Sequence, residues 1–433
     1  MNEITVGILG LIILLAMFLT GIELCFSMAV IGFLGFAYLK SLSGAFNMLA
    51  KDFFDVFSSY GFTVLPLFLF MGQIAFNAGI AKRLYDSANK FIGHVPGGLA
   101  IATVAGATVF KSICGSSVAT AATFASVAVP EMDRYGYSRK LSTGIVASVG
   151  TLGVLLPPSA ALIVFGIITQ QSIGDLFIAG IIPGLIIAAL FVVVIVSWCR
   201  MRPELGPKTQ KYSWRERIRG IPELFWPILT FLFIIGGLLL GFFTPTEAGS
   251  IGCFAVLVLC IFQRSLSFKA FTTAVSQSVR AACMTLAVLA GSTVLGHFLA
   301  ITQIPAVTAE WVVGLSLPRH LIMLMIIFIY LLGGSFLDDI AFMILATPIF
   351  YPAVIKLGFD PLWFGIIIGV TIMIGVIIPP VAINVFVVKN ITKESFKVIY
   401  SGVYPFLLGL IGCGILLFLF PKIVTFLPGL LMN

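Results

Sequence analysis

Long apolar runs follow one another from end to end of this chain, and they constrain its fold more than any other feature. A helix needs about 20 predominantly apolar residues to cross the hydrocarbon core of a bilayer, and all its backbone groups must find partners inside the protein. Such runs lie near residues 4–21, 24–39, 60–79, 141–168, 176–198, 223–243, 246–263, 275–300, 361–388 and 402–420. Only 10% of the 433 residues are charged, against about 25% in an ordinary soluble domain. So few charges cannot clothe a water-facing surface. The sequence therefore predicts an all-α polytopic membrane protein embedded in a lipid bilayer. Its first run carries Glu3 in place of a basic leader, and no A-x-A-like cleavage site precedes the next run at Leu24, so Met1 to Thr20 reads as a membrane helix.

The net charge of +8 does not point to nucleic acid, because the basic residues sit in short clusters between apolar runs, where they set topology. The largest cluster, 200–219, holds Arg200, Arg202, Lys208, Lys211, Arg215, Arg217 and Arg219 near mid-chain. It reads as a solvated cytoplasmic linker between two halves, flanked by interfacial Trp214 and Trp226. Seven scattered cysteines without a C-x-x-C pair, and only three histidines, support neither a disulfide frame nor a zinc site.

Displacing the sequence by 222 residues superposes Pro130 on Pro352, Gly136 on Gly358, and Gly153, Val154, Pro157 and Pro158 on Gly375, Val376, Pro379 and Pro380. GVLLPPSA in the first half thus meets GVIIPPVA in the second without a gap. The flanking charges are reversed: Arg134, Arg139 and Lys140 precede the first Pro-Pro helix, and Lys389, Lys393 and Lys397 follow the second. With basic flanks in the cytoplasm the two helices run in opposite directions, an inverted repeat of the kind that secondary transporters use for alternating access. A channel or an intramembrane enzyme has no comparable need for two equivalent halves.

Proline supplies no N–H, so each Pro-Pro pair leaves the carbonyls of Gly153 and Val154, or of Gly375 and Val376, without their helical donors and breaks the helix at mid-span. Unwound carbonyls at that depth persist where they line a cavity or hold a hard cation such as sodium, although a packed proline kink is the plainer explanation for either pair alone. Thr151 and Thr371 lie close by. Before each broken helix stands an apolar region too long and too interrupted for one helix, 97–130 and 321–355, which reads as a re-entrant hairpin. One tip carries Cys114, Gly115, Ser116 and Ser117, the other Gly333, Gly334, Ser335, Asp338 and Asp339. Glycine permits the tight turn, and hydroxyls pair freed backbone groups or ligate an ion. Carboxylates inside apolar segments are costly and mark function by default, unless this pair lies in a surface loop. Of the two, Asp338 is expected to serve the site and Asp339 a structural network. Lys111 reads as a snorkelling or cytoplasm-facing residue, His297 as a histidine alone on an apolar face, and Glu247 as the marker of a turn between two spans.

The segments GSSVATAATFASVAVPEM (115–132), GTLGVLLPPSAALIVFG (150–166), GGSFLDDIAFMILATPIFYP (333–352) and GVIIPPVAINVFVV (375–388) resemble the large membrane subunit of tripartite ATP-independent periplasmic (TRAP) transporters, in the family's order and over essentially the whole chain. The resemblance implies an elevator-type transporter in which a scaffold carries a moving domain of two hairpins and two broken helices. It also implies two partners, a small four-helix membrane subunit and a periplasmic substrate-binding protein, with sodium-driven uptake of a small organic acid such as sialic acid or a C4-dicarboxylate across the bacterial inner membrane. Because the sequence starts directly at the large subunit, the small one is expected as a separate polypeptide.

On that basis the expected organisation is scaffold helices over 1–96, a first transport repeat over 97–175, scaffold with the basic linker over 176–300, a second transport repeat over 301–390, and a C-terminal helix over 391–433. Ser116, Ser117, Ser159, Asp338 and Asn384 are the candidate substrate contacts. Gly115, Thr151, Gly153, Gly334, Thr371 and Gly375 are the candidate sodium ligands. A carboxylate carrier acting alone, coupled to protons or sodium, is the competing possibility. An ATP-driven pump is disfavoured by the absence of a G-x-x-x-x-G-K-[ST] loop, and an intramembrane protease by the lack of a histidine partner for Ser116 or Ser117 and of a second, separate aspartate motif.

Overall fold

The computed structural model describes residues 2–209 and 211–431. Met1 of the first expected span, Gln210 of the basic linker, and Met432 and Asn433 of the C-terminal segment lie outside the described residues. Helices account for the architecture, with no strand among the described residues. The first half contains α1 (Glu3–Leu19), α2 (Leu24–Leu39), α3 (Leu42–Ser58), α4 (Val64–Asn77), α5 (Ile80–Ile92), α6 (Gly98–Lys111), α7 (Ser117–Arg134), α8 (Arg139–Gly150), α9 (Ala160–Thr169) and α10 (Ile173–Met201). The second contains α11 (Trp214–Leu239), α12 (Pro245–Phe262), α13 (Phe268–Ile301), α14 (Ile304–Val313), α15 (Arg319–Phe336), α16 (Asp339–Lys356), α17 (Pro361–Gly375), α18 (Ile383–Thr392) and α19 (Phe396–Leu419), followed by α20 (Lys422–Leu431). Among the described residues eight helices are long and apolar enough to cross a bilayer.

The 222-residue displacement extends well beyond the motifs. It lays α16 on α7 residue for residue and starts α17 on the equivalent of the first residue of α8. Gly136 and Gly358, both at positive φ (+73° and +76°), end the paired helices at equivalent turns. The same shift pairs α2 with α12, α5 with α14 and α10 with α19; α13 alone covers what α3, a 3-10 turn at Tyr60–Thr63 and α4 cover in the first half.

Helix packing follows the repeat. α2 lies on α13 while α12 lies on α4, α8 lies on α19 while α17 lies on α10, and α9 lies on α16 while α18 lies on α7. Each contact is the image of its neighbour, the pattern a two-fold relation between halves generates. In the last pair the arm beyond each broken helix reaches across to the other half, so α6–α9 and α15–α18 interlock.

Side-chain caps explain many of the helix starts. Ser116, Ser159, Ser172, Ser267, Asp360 and Ser395 each accept a backbone N–H of the helix that follows. Thr244 and Glu247 form a capping box at the start of α12, which accounts for the glutamate at that turn. The helices that apolarity did not reveal are α3 and α5, whose charged faces carry Lys51, Asp52 and Asp55 or Lys82, Arg83, Asp86 and Lys90, and the ten-residue α14 and α20.

The basic segment differs from the solvated loop expected of it. Arg215, Arg217 and Arg219 lie in the first turns of α11. The Leu205 carbonyl accepts the Ser138 N–H at 3.0 Å and the Gly206 carbonyl accepts the Gly97 N–H at 2.9 Å. The unpaired N–H groups at the starts of α8 and α6 are satisfied by this strand of linker, which ties both helix starts to one end of the molecule. The ends of α6 and α7 are further joined by a bond from the Leu99 N–H to the Tyr137 hydroxyl at 3.2 Å. At the equivalent corner of the second half, Phe359 takes the place of Tyr137 and packs edge-on against His320, with ring centroids 5.7 Å apart.

Two exposed positions test the orientation. Single cysteines at Lys211 and Ser316, in a background lacking the seven native ones, are expected to react with an impermeant maleimide from opposite sides of the membrane, Lys211 from the cytoplasm. Reaction from the same side would refute the inverted arrangement.

Candidate functional site

Each repeat brings the tip between its two paired helices onto its own helix break. In the first, α8 gives way to a 3-10 turn at Thr151–Val154, and Pro157 and Pro158, joined by a cis peptide bond, precede α9. Gly115 at the tip sits on this break so closely that a β-carbon would come within 2.7 Å of the Pro158 carbonyl oxygen. In the second repeat Gly334 and Gly375 meet backbone to backbone, and a β-carbon on Gly375 would lie 2.6 Å from the Gly334 carbonyl carbon. The Val381 N–H, one residue past the cis Pro379–Pro380 bond, donates to the Ser335 carbonyl at 3.2 Å.

The two tips meet. Ser117 Oγ donates to Asp339 Oδ2 at 3.1 Å. These residues are exact equivalents under the 222-residue displacement, so the bond lies where the two-fold relation brings a position onto its own image. Asp339 Oδ1 accepts the Ile340 N–H at the start of α16, while Asp338 stands exposed at the cap position beside it. Asn384, at the start of the arm α18, crosses to the first half, where its Nδ2 donates to the Ala147 carbonyl at 3.3 Å. It packs against Gly150, and its Oδ1 is buried without a hydrogen-bond partner.

The remaining candidates are positioned by local bonds. Ser159 is buried, donates to the Val154 carbonyl at 2.6 Å and accepts the Leu162 N–H, so its hydroxyl is occupied as the cap of α9. Thr151 and Thr371 donate to the Ser148 and Ile367 carbonyls at 2.8 Å each, which leaves their oxygen lone pairs as the free function. Ser116 accepts the Ala119 N–H, and its carbonyl takes a bond from Lys111. The carbonyls expected to be free at the breaks are in part repaired: Val154 by Ser159, Val376 by the Asn384 N–H at 3.3 Å, and Gly375 by the Ile378 N–H at 3.3 Å.

Two residues depart from expectation. Lys111 does not snorkel; it is fully buried, and its Nζ donates to the Ser116 carbonyl at 2.5 Å and lies directly against Gly153. The small backbone of Gly153 makes the room. His297 is not alone: its Nδ1 lies 2.7 Å from Oδ2 of Asp52, a buried carboxylate on the amphipathic helix α3 that apolar runs did not reveal. The clue in the sequence was the polarity of 51–55. His297, Ser292, Thr347 and Tyr351 also line a cavity of about 490 Å³ between α13 and the ends of α9 and α16. No cluster of His, Cys, Asp or Glu among the described residues could hold a metal ion, so any cation here would rely on carbonyls and hydroxyls.

Residues 11–423 match the family described as tripartite ATP-independent periplasmic transporter, DctM component. The chain is 34% identical to the C4-dicarboxylate TRAP transporter large permease protein DctM of Pseudomonas aeruginosa, over 88% of this chain and 87% of that one. It is 28% identical to the sialic acid TRAP transporter large permease protein SiaM of Vibrio cholerae, over 97% of each. Its fold resembles the crystal structure of the Alcanivorax borkumensis YdaH transporter, with a TM-score of 0.64 at 15% identity over 88% of this chain and 89% of that one.

The two breaks predict different responses to one extra methyl group. Gly153→Ala overlaps the end of a flexible side chain, whereas Gly375→Ala overlaps backbone, and overpacking of this kind costs about 1–3 kcal/mol. Both variants are expected to lower the thermal midpoint of the detergent-solubilised protein. Adding Lys111→Ala should recover most of the loss in the first and none in the second. Equal responses to Lys111→Ala would show that the lysine does not fill the first break.

Proposed function

This chain belongs to the DctM component family of tripartite ATP-independent periplasmic transporters, and from that premise we propose that it carries out sodium-coupled uptake of a small organic acid by an elevator movement. It is a multi-pass permease of the inner membrane, not an enzyme. The observation that carries the proposal is the bond between Ser117 and Asp339, which places two equivalent positions of the repeat on one axis. A site on that axis is related equally to both halves, as alternating access requires.

The hairpin α6–α7 with the broken helix α8–α9, and the hairpin α15–α16 with the broken helix α17–α18, form the moving body. Three features support this: the crossed packing of their arms, the Ser117–Asp339 bond, and the cavity that separates α13 from the ends of α9 and α16. The tips 112–116 and 337–338 are re-entrant, each reaching the membrane interior and returning to its own side.

Sodium is a co-substrate here. The backbone of Gly115, Gly153, Gly334 and Gly375 and the hydroxyls of Thr151 and Thr371 are the oxygen-rich surroundings a hard cation takes. Ser116, Ser117, Ser159, Asp338 and Asn384 surround the acid, with Oδ1 of Asn384 as the polar atom left without a partner and Asp338 exposed beside its hydrogen-bonded neighbour Asp339. An anionic substrate beside Asp338 needs cations to offset the repulsion, and bound sodium supplies them. A carboxylate such as sialic acid or a C4-dicarboxylate, as carried by the relatives' names, is delivered by a periplasmic binding protein, and the chain works with a small membrane subunit.

Reconstituted with those partners, the protein is expected to lose uptake when sodium is replaced by choline or potassium. Asp338→Ala should reduce sodium-driven uptake at least tenfold while leaving membrane insertion and subunit pairing intact. Undiminished uptake without sodium, under a proton gradient, would favour proton coupling; normal uptake by the aspartate variant would move the site elsewhere.

A further inference from the structure

We propose that Lys111 is a built-in cation of the first repeat, so that the junction of its tip and break binds no sodium and coupling sodium is confined to the second repeat. The inference rests on the sodium-coupled reading above and narrows the sodium surroundings given there to Gly334, Thr371 and Gly375 of the second repeat.

The ammonium stands where an ion would stand. Lys111 is 0% exposed; its Nζ takes the Ser116 carbonyl as acceptor at 2.5 Å and lies against Gly153 at the mouth of the 3-10 turn. Asp339, held in place by Ser117, is the carboxylate near enough to act on it electrostatically, without forming an ion pair. An ammonium and a sodium ion carry the same charge and seek the same carbonyl and carboxylate oxygens. One that is covalently attached fills the junction permanently, occupies the carbonyl an ion would use, and repels a second cation at close range.

The second repeat has no counterpart. The equivalent of Lys111 is Gly333, which has no side chain and is covered by the Phe342 ring. The equivalent of Gly153 is Gly375, which meets the Gly334 backbone. The contact there is backbone on backbone, with no fixed cation of its own. A tethered cation travels with the protein in both directions and draws no energy from the sodium gradient, so the coupling ratio falls by the ion it replaces.

Equilibrium binding of ²²Na⁺ to the purified protein, without organic substrate, tests this. Lys111→Ala and Lys111→Gly, the second recreating the residue of the other repeat, are each expected to bind one more sodium ion per chain than the parent and to show a steeper sodium dependence. A folded variant, monodisperse on size exclusion, with the parent's sodium count would overturn the proposal. If neither variant folds, thallium anomalous scattering from the parent decides: a cation bonded to the Ser116 carbonyl overturns it, and thallium at the second break alone supports it. A parent that binds no sodium, alongside variants that bind one ion, would refute the sodium-coupled reading while upholding the role of Lys111. Variants equally devoid of sodium would sink both.

Discussion

Hydrocarbon offers no hydrogen bonds, so every interruption of a helix in this chain must be closed by the chain itself. Four interruptions follow from the glycines and Pro-Pro pairs, at 112–116, 151–159, 337–338 and 376–382. The structure closes them against one another: each tip sits on the break of its own repeat, and polar side chains or neighbouring N–H groups meet carbonyls at the break. A tip removed from its break would expose several backbone groups at once, each costing roughly 1–3 kcal/mol unpaired. Tip and break therefore behave as one unit, and the arms α9 and α18, crossed onto α16 and α7, lock the two units together.

The repair is symmetric in place but not in chemistry. Val154 receives a serine hydroxyl where Val376 receives a backbone N–H, and the first junction holds an ammonium where the second holds none. Exposure differs as well. Pro157 and Pro158 are buried, whereas Pro379, Pro380 and Asp338 are exposed. The first break is thus closed and the second open in one structure, which two identical halves in one conformation could not be.

The architecture was legible in the sequence wherever a motif carried it. Six identities at a constant offset located the repeat, and the Pro-Pro pairs located the breaks to within a few residues. Two things stayed hidden for physical reasons. The repeat continues through α1–α5 and α10–α14, but those helices need only be apolar on the right faces, a demand many residues meet, so the identities there, such as Gly180 with Gly402 and Pro183 with Pro405, are scattered and form no motif. Local polar partnerships were equally hidden. Nothing in a linear sequence says that Lys111 folds back onto the residue five positions ahead and onto Gly153, or that Asp52 reaches His297 across 245 residues. Burial, not composition, turned a lysine expected at the surface into part of the site.

That lysine bears on the charge balance of the centre. Asp338 and Asp339 are adjacent, and two like charges 4 Å apart repel by about 4 kcal/mol at an effective dielectric constant of about 20. A hydrogen bond to a charged group returns about 1.5–3 kcal/mol, so the Ser117 hydroxyl cannot by itself offset that repulsion. The charge of Lys111, which acts on Asp339 from the first tip, adds to the offset. The neighbouring Asp338 is hydrogen-bonded to Asp339 and has no ion pair of its own among the described residues. An incoming organic anion would raise the negative charge at that point further, and only mobile cations can restore the balance there. The half of the site with no fixed positive charge is thus the half whose occupancy must depend on ions from solution.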